Sequence, residues 1–301
     1  MRWSLLLAAW LVCLGTLGCI GAGPGPDGPE PAAPPQPVAN GWTSTPGPEP
    51  AAVDPAQAAG EDIAAGVPFV ELPLGGAKLT DALPMIIALH GRGGGPDNVH
   101  GWFTAFSGVQ ARLIIPHGHS GDRGGYNWFD ERLQRDDEQT FAAGVARAEA
   151  RVAGFIRELM KSRPTLGRPI VMGFSQGGIL TFTLAAHDPD LVGEAIPVSG
   201  LLPRPLTPTT WSPQSPHPPI HASHGDEDTT FAKGRESVAR LKALGLDCTM
   251  HEVPGVAHQI RPQLDYVYTE LAQAARAQAA LGVVHVASQH GAAAPPHADT
   301  R

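Results

Sequence analysis

Cysteine is nearly absent from this chain. Of three in 301 residues, Cys13 and Cys19 fall in the N-terminal segment, and Cys248 stands alone in the rest. A single thiol excludes an intramolecular disulfide, and Cys248, which opens a strand-like run, is expected to be buried and inert. Basic residues are missing altogether between Arg2 and Lys78. Seven of the 29 acidic residues and one of the 21 basic residues precede Lys78, which leaves 22 acids against 20 bases beyond it. Most of the net charge of −8 therefore belongs to the N-terminal part. The remainder is nearly neutral and has no basic patch suited to nucleic acid or anionic lipid. A long apolar run is also missing, since Leu5 to Val12 is too short to span a bilayer comfortably.

Proline and glycine, by contrast, are abundant. With 31 prolines and 36 glycines the chain holds too many for a uniform globule, so part of its length is not fold. Arg2 followed by the short apolar run has the make-up of a secretory signal peptide over 1–19. Thr16-Leu17-Gly18-Cys19 resembles a bacterial lipobox, although Leu17 stands one place closer to the cysteine than the usual pattern has it. The expectation is an exported protein whose lipidated Cys19 is its mature N-terminus, with plain cleavage and release as the alternative. Residues 20–65 are rich in Pro, Gly, Ala and acidic residues with almost nothing large and apolar to bury, and read as a disordered tether. The folded domain is expected over 66–281 and a flexible tail over 282–301.

Within 66–281, apolar strand-like runs alternate with helical stretches. Strands are expected at Pro68–Leu72, Met85–Leu89, Leu113–Pro116, Ile170–Gly173, Ala195–Val198, Ile220–Ser223 and Thr249–Val253. Helices are expected near Phe141–Met160, Gly177–His187, Phe231–Leu244 and Gln263–Ala280. Several strands are continuously apolar, as strands buried on both faces are. The order implies one α/β domain with a mostly parallel sheet covered by helices on both faces. Ligands in such sheets bind at the carboxyl ends of the strands.

The most informative stretch is Gly173-Phe174-Ser175-Gln176-Gly177, between an apolar strand and a helix-compatible run. In a nucleophile elbow the serine sits at the strained tip of such a turn, and its neighbours must be small because strand and helix backbones pass close by. The N–H of Gln176, at the first turn of the helix, would then point at the oxygen of a carbonyl under attack by Ser175. The bland reading of the same stretch is a Gly-rich turn whose serine caps a helix. The loop His90-Gly91-Arg92-Gly93-Gly94-Gly95-Pro96 follows a buried strand and would let backbone N–H groups approach the same oxygen. As a phosphate loop it fails, because Pro96 takes the place of the last glycine and the Lys-Ser/Thr pair is absent.

Two later strand ends supply an acid and a histidine. The run to Ser223 is followed by Asp226, Glu227 and Asp228, and the run to Val253 by Pro254-Gly255-Val256-Ala257-His258. The order Ser, acid, His at successive strand ends is that of the α/β-hydrolase triad. Asp228 is favoured over Asp226 because the loop needs a few residues to turn back before a carboxylate can face the histidine. His258 is favoured over His251, which lies within the strand.

Leu89-His90-Gly91, Trp128-Phe129-Asp130, Gly173 to Gly178, Ser199-Gly200-Leu201-Leu202-Pro203, His224 to Asp228 and Gly255 to His258 together resemble the phospholipase/carboxylesterase family, which includes the acyl-protein thioesterases. The resemblance covers about Leu83 to Ala274. It implies an α/β-hydrolase fold, Ser175 as nucleophile with Asp228 and His258 as partners, and the N–H groups of Arg92 and Gln176 as an oxyanion hole. This chain departs from the family in three glycines at Gly93-Gly94-Gly95, in Ala257 before His258, and in Thr229-Thr230 after the acid. It also carries a Pro-rich insert, Arg204 to Pro218, that is expected to overhang the site. The expected substrate is a small ester or thioester, with no cofactor and no metal. His117 with His119, and His221 with His224, have usable spacings, but no cysteine or carboxylate partner is placed to complete a ligand set. A catalytically silent binding module or a peptidase on the same fold is the alternative. The peptidase lacks a visible charged pocket for a peptide terminus.

Overall fold

The computed structural model describes residues 62–283 except 123 and 213. The segments read as signal peptide and lipobox, nearly all of the expected tether and nearly all of the expected tail lie outside the described residues.

Met85–Leu89 (β3) shows how the sheet is built. Its five residues are all buried, but alternately: Met85, Ile87 and Leu89 enter one apolar core, and Ile86 and Ala88 enter the other. The same two-sided burial holds for Ala111–Pro116 (β4), Ile170–Phe174 (β7) and Glu194–Val198 (β8). Ile220–Gly225 (β9) and Cys248–Val253 (β10) continue the sheet, and Asp62–Ala64 (β1) and Val67–Leu74 (β2) close the opposite edge. The hydrogen-bonded order is β1-β2-β4-β3-β7-β8-β9-β10. In this order β4, β3, β7, β8, β9 and β10 run parallel, β2 pairs antiparallel with β4, and β1 pairs antiparallel with β2. A separate hairpin pairs Ser120–Asp122 (β5) with Gly125–Asn127 (β6).

Helices cover both faces. Glu138–Ser162 (α2), Gln176–His187 (α3) and Phe231–Ala243 (α4) bury apolar residues in the core that holds Met85, Ile87 and Leu89. Pro96–Phe103 (α1) and Leu264–Ala280 (α5) bury theirs in the other. The expected strands and helices are all present. The elements absent from the sequence reading are short: α1 has eight residues, and β1, β5 and β6 have three each, too few to display a period.

Two expectations are corrected. The sheet begins at Asp62, inside the stretch assigned to the tether, because Ala65 and Gly66, both at positive φ, turn β1 back onto β2 and Asp62 pairs with Arg163. The insert Arg204 to Pro218 is expected to overhang the site, but none of its described residues lines the cleft at the sheet's carboxyl edge. Its carbonyl at Leu206 is 2.8 Å from His187 Nε2, Thr207 Oγ1 accepts from Arg240 Nε at 3.0 Å, and Arg204 pairs with Glu236, so the start of the insert, Arg204 to Thr207, lies on α3 and α4.

Candidate active site

Parallel pairing brings the carboxyl ends of β3, β7, β9 and β10 to one edge, and the residues singled out in the sequence follow them. Ser175 sits between β7 and α3 with φ 57° and ψ −114°, a conformation that non-glycine residues rarely adopt. Close packing around it explains the flanking glycines. A Cβ on Gly177 would come within 2.2 Å of the Leu89 carbonyl oxygen, and one on Gly173 within 2.4 Å of the Gly177 carbonyl carbon.

His258 Nε2 lies 2.8 Å from Ser175 Oγ, and His258 Nδ1 lies 2.6 Å from Asp228 Oδ2. The His258 side chain is 43% exposed, while that of Asp228 is fully buried. Burial by itself would raise the Asp228 pKa. Hydrogen bonds from His224, His258 and the Thr230 amide outweigh it and hold the carboxyl far below the ordinary range, so it is ionised. Thr230 donates from both its N–H and its hydroxyl to Asp228 Oδ1, at 2.9 and 2.8 Å. Asp226, the rival acid, accepts from the Gly255 N–H at 2.7 Å and so pins the loop that carries His258. Glu227 is exposed. His251 stacks on Tyr266 at 4.2 Å between ring centroids, on the face covered by α5.

The other half of the site is the loop after β3. A Cβ on Gly91 would lie 3.3 Å from the Ser175 Cβ, so the Gly91–Arg92 backbone runs directly past the serine. Gln176, as the first residue of α3, has an N–H with no acceptor inside the helix. The side chains of both residues grip one segment. Arg92 Nη2 donates to the carbonyls of Phe129 and Glu131 at 3.0 and 2.8 Å, and Gln176 Nε2 donates to Phe129 at 2.7 Å. Gln176 Oε1 also accepts from the Trp128 N–H at 3.1 Å. The extra glycines pack against the β5–β6 hairpin, where Gly93 donates to the Tyr126 carbonyl at 2.9 Å and to Asn127 Oδ1 at 3.0 Å.

His90 is fully buried beneath this loop. Its Nδ1 lies 2.7 Å from the Gly91 carbonyl, its Nε2 accepts from the Gly118 N–H at 3.0 Å, and its ring stacks on Trp128. Burial depresses its pKa to about 4, further lowered by His117 and partly restored by the Gly91 carbonyl, so it is neutral with the proton on Nδ1. Gln263 ties β9 and the end of β8 to the loop that carries His258. It accepts from Ser223 Oγ at 2.7 Å and donates to Ser199 Oγ and the Gln259 carbonyl at 3.0 and 2.6 Å. His90 stood in the sequence only as a member of a recognisable motif, His224 as a member of another and of a histidine pair with His221, and Thr230 only as a departure from a motif. Gln263 gave no signal beyond opening a helix.

A cleft of about 350 Å³ opens over Ser175 and His258, lined by Arg92, Phe129, Leu133, Phe141, Ile179, Leu201 and Thr229 among others. None of the described residues of 204–218 lines it. A second cavity of about 300 Å³, beside His117, Tyr126 and Arg151, contains none of Ser175, Asp228 and His258. Cys248 is buried, and burial pushes its thiol up to about 12.

The sequence family described as Phospholipase/Carboxylesterase matches residues 77–272. Curated relatives include a probable carboxylesterase, SOBER1-like, from Arabidopsis thaliana, 32% identical over 34% of this chain and 41% of its own length. Another is lysophospholipase-like protein 1 from Mus musculus, 30% identical over 36% of this chain and 47% of its own length. The chain thus spans about half the length of the curated relatives it matches. Among solved structures, a Bacillus cereus carboxylesterase superposes with TM-score 0.57 at 16% identity, covering 69% of this chain and 94% of its own. Acyl-protein thioesterase 2 from Zea mays superposes with TM-score 0.52 at 20% identity, covering 68% and 98%. At such identities the superpositions speak for the α/β-hydrolase fold, while the match over 77–272, most of the domain built here, establishes that the chain belongs to the Phospholipase/Carboxylesterase family.

Proposed function

We propose that this protein is an exported serine hydrolase, tethered to a membrane through Cys19, that cleaves carboxylic esters or thioesters through an acyl-enzyme. The observation that carries the reading is the continuous hydrogen-bonded line from Ser175 Oγ through His258 to the buried, ionised Asp228, at the floor of an open cleft. Ser175 Oγ attacks the carbonyl carbon as His258 Nε2 takes its proton. The carbonyl oxygen becomes negative and is held by the N–H groups of Arg92 and Gln176. Collapse of this intermediate expels the alcohol or thiol, which leaves with the proton from His258. Water then repeats the sequence on the acyl-enzyme and frees Ser175.

The apolar lining from Phe129, Leu133, Phe141, Ile179 and Leu201 suits an acyl chain, and the names of the relatives, carboxylesterase, lysophospholipase-like and acyl-protein thioesterase, point to the same bond types. The test is Ser175→Ala. It is expected to abolish hydrolysis of p-nitrophenyl esters and labelling by a fluorophosphonate probe with an unchanged circular dichroism spectrum. Equal labelling of wild type and variant would remove Ser175 from the mechanism, and an ester series of increasing length in wild type would give acyl preference.

A further inference from the structure

We infer that Glu194, His221 and Glu270 form a second site, which binds one divalent transition-metal cation of zinc's chemistry. Among the described residues they are the one group of three or more potential ligands close enough to share an ion, with one ligand atom from each lying within 4.8 Å of the others. In the sequence reading no carboxylate is placed to complete a ligand set with His221. The fold supplies two, because β8 and β9 pair in parallel and α5 crosses the face they share.

Glu194 is where a carboxylate is hardest to accommodate. On β8 it alternates with Ile196 and Val198, which belong to the core beneath α5, and it is only 8% exposed. Its Oε1 is buried with no hydrogen-bond partner. His221 and Glu270 do not satisfy it: His221 Nε2 stands 3.8 Å away, and Glu270 is a second acid aimed at the same place. Burial, and then the charge of Glu270, push the Glu194 carboxyl up to about 8. A buried acid facing another acid and an imidazole, without a cation paired to it among the described residues, is what a metal ion would compensate.

The geometry fits a small ion. Nitrogen and carboxylate ligands about 2.0–2.2 Å from a tetrahedral zinc lie roughly 3.4 Å apart. His221 Nε2 is 3.8 Å from Glu194 Oε1, its Nδ1 is 3.7 Å from Glu270 Oε2, and one ligand atom from each of the three residues lies within 4.8 Å of the others, so side-chain rotation of the half-buried Glu270 toward Nε2 is what closes the set. Thr249 Oγ1, 3.0 Å from His221 Nδ1, steadies the ring with Nε2 toward Glu194, the outer-shell support that metal-bound histidines have. One imidazole with two carboxylates suits zinc and its first-row neighbours better than calcium, which takes six to eight oxygens. The site lies at the amino ends of β8 and β9, whereas Ser175 lies at the carboxyl ends. A bound ion there would clasp two strands to α5 and leave the cleft alone.

The experiment uses the chelator-stripped full chain, titrated calorimetrically with ZnCl2 and followed by thermal unfolding. The expected result is one high-affinity zinc per chain and a rise in Tm of roughly 5 °C or more in excess zinc. Glu270→Gln, at the half-buried helix surface, and Glu194→Gln should each weaken binding at least tenfold and abolish the rise, with ester hydrolysis unchanged. Histidines elsewhere would bind wild type and both variants alike. Equal zinc affinity in the three proteins, or no binding by wild type at millimolar zinc, would overturn the site and leave the cluster as two acids sharing a proton.

Discussion

His224 Nε2 lies 3.2 Å from Asp228 Oδ2, the same oxygen that His258 Nδ1 approaches at 2.6 Å. Two imidazoles on one carboxylate oxygen, with Thr230 on the other, leave Asp228 no freedom to turn. The acid that orients His258 is itself oriented by a buried shell. Asp226, two residues earlier, faces a backbone amide instead.

Asp228→Asn is therefore expected to lower kcat by about 10⁴-fold, because an amide no longer holds His258 in the tautomer that accepts the serine proton. Asp226→Asn loses one charge-assisted bond to the Gly255 N–H and should change kcat by a small factor only. Steady-state kinetics of the two variants on one p-nitrophenyl ester decide the matter. The opposite ranking would move the role to Asp226.

Packing at the elbow predicts opposite signs for two glycine substitutions. Gly177→Ala would place a methyl group 2.2 Å from the Leu89 carbonyl oxygen, a backbone atom that cannot swing aside. A loss of about 2 kcal/mol or more is expected, along with loss of activity as Ser175 and Gln176 shift. Gly154→Ala, in α2, meets nothing within 4 Å and should stabilise by roughly 0.4–1 kcal/mol. Urea unfolding of both variants is the check, and a stable, active Gly177→Ala would contradict the elbow geometry.

His90 predicts a pH window. Its folded-state pKa is depressed to about 4, so the folded protein keeps the ring neutral where the unfolded chain takes up a proton. The stability this contributes is complete above the ordinary histidine value near 6.5 and declines as pH falls, by about 1.4 kcal/mol per unit at most, down to about pH 4. Urea midpoints between pH 7.5 and 4.5 should fall less steeply in His90→Phe than in wild type, whatever the variant's absolute stability. Parallel slopes would mean that the buried ring does not resist protonation.

The proposed anchor predicts location. With Cys19 lipidated, wild type should fractionate with membranes and Cys19→Ala with soluble exported protein, at equal activity per molecule. One acyl chain holds a protein only marginally, so stable anchoring requires the several chains of a lipoprotein. Soluble wild type with a mature N-terminus elsewhere would leave plain secretion.

Local pattern alone determined a good deal. Met85–Leu89 and Ile170–Gly173 read as buried strands because every residue is apolar and a glycine turn follows, and two-sided burial demands that composition. Gly173 and Gly177 marked the elbow because a backbone crossing that tight excludes any side chain. The order Ser175, acid, His258 could be read because each residue ends a strand, and chain order along parallel strands is preserved in space.

Tertiary structure alone decided the remainder. Turn length favoured Asp228, but only the path of the loop shows that it is the carboxylate touching His258 while Asp226 pins Gly255. Arg204 to Pro218 has no pattern that reveals which surface holds it, so its descent onto His187 and Arg240 was invisible in advance. Gln263 and the trio Glu194, His221 and Glu270 lie far apart in sequence, on two strands and a helix. What unites them is the pairing of β8 with β9 and the crossing of α5 over both, long-range contacts that leave no periodic trace in the chain.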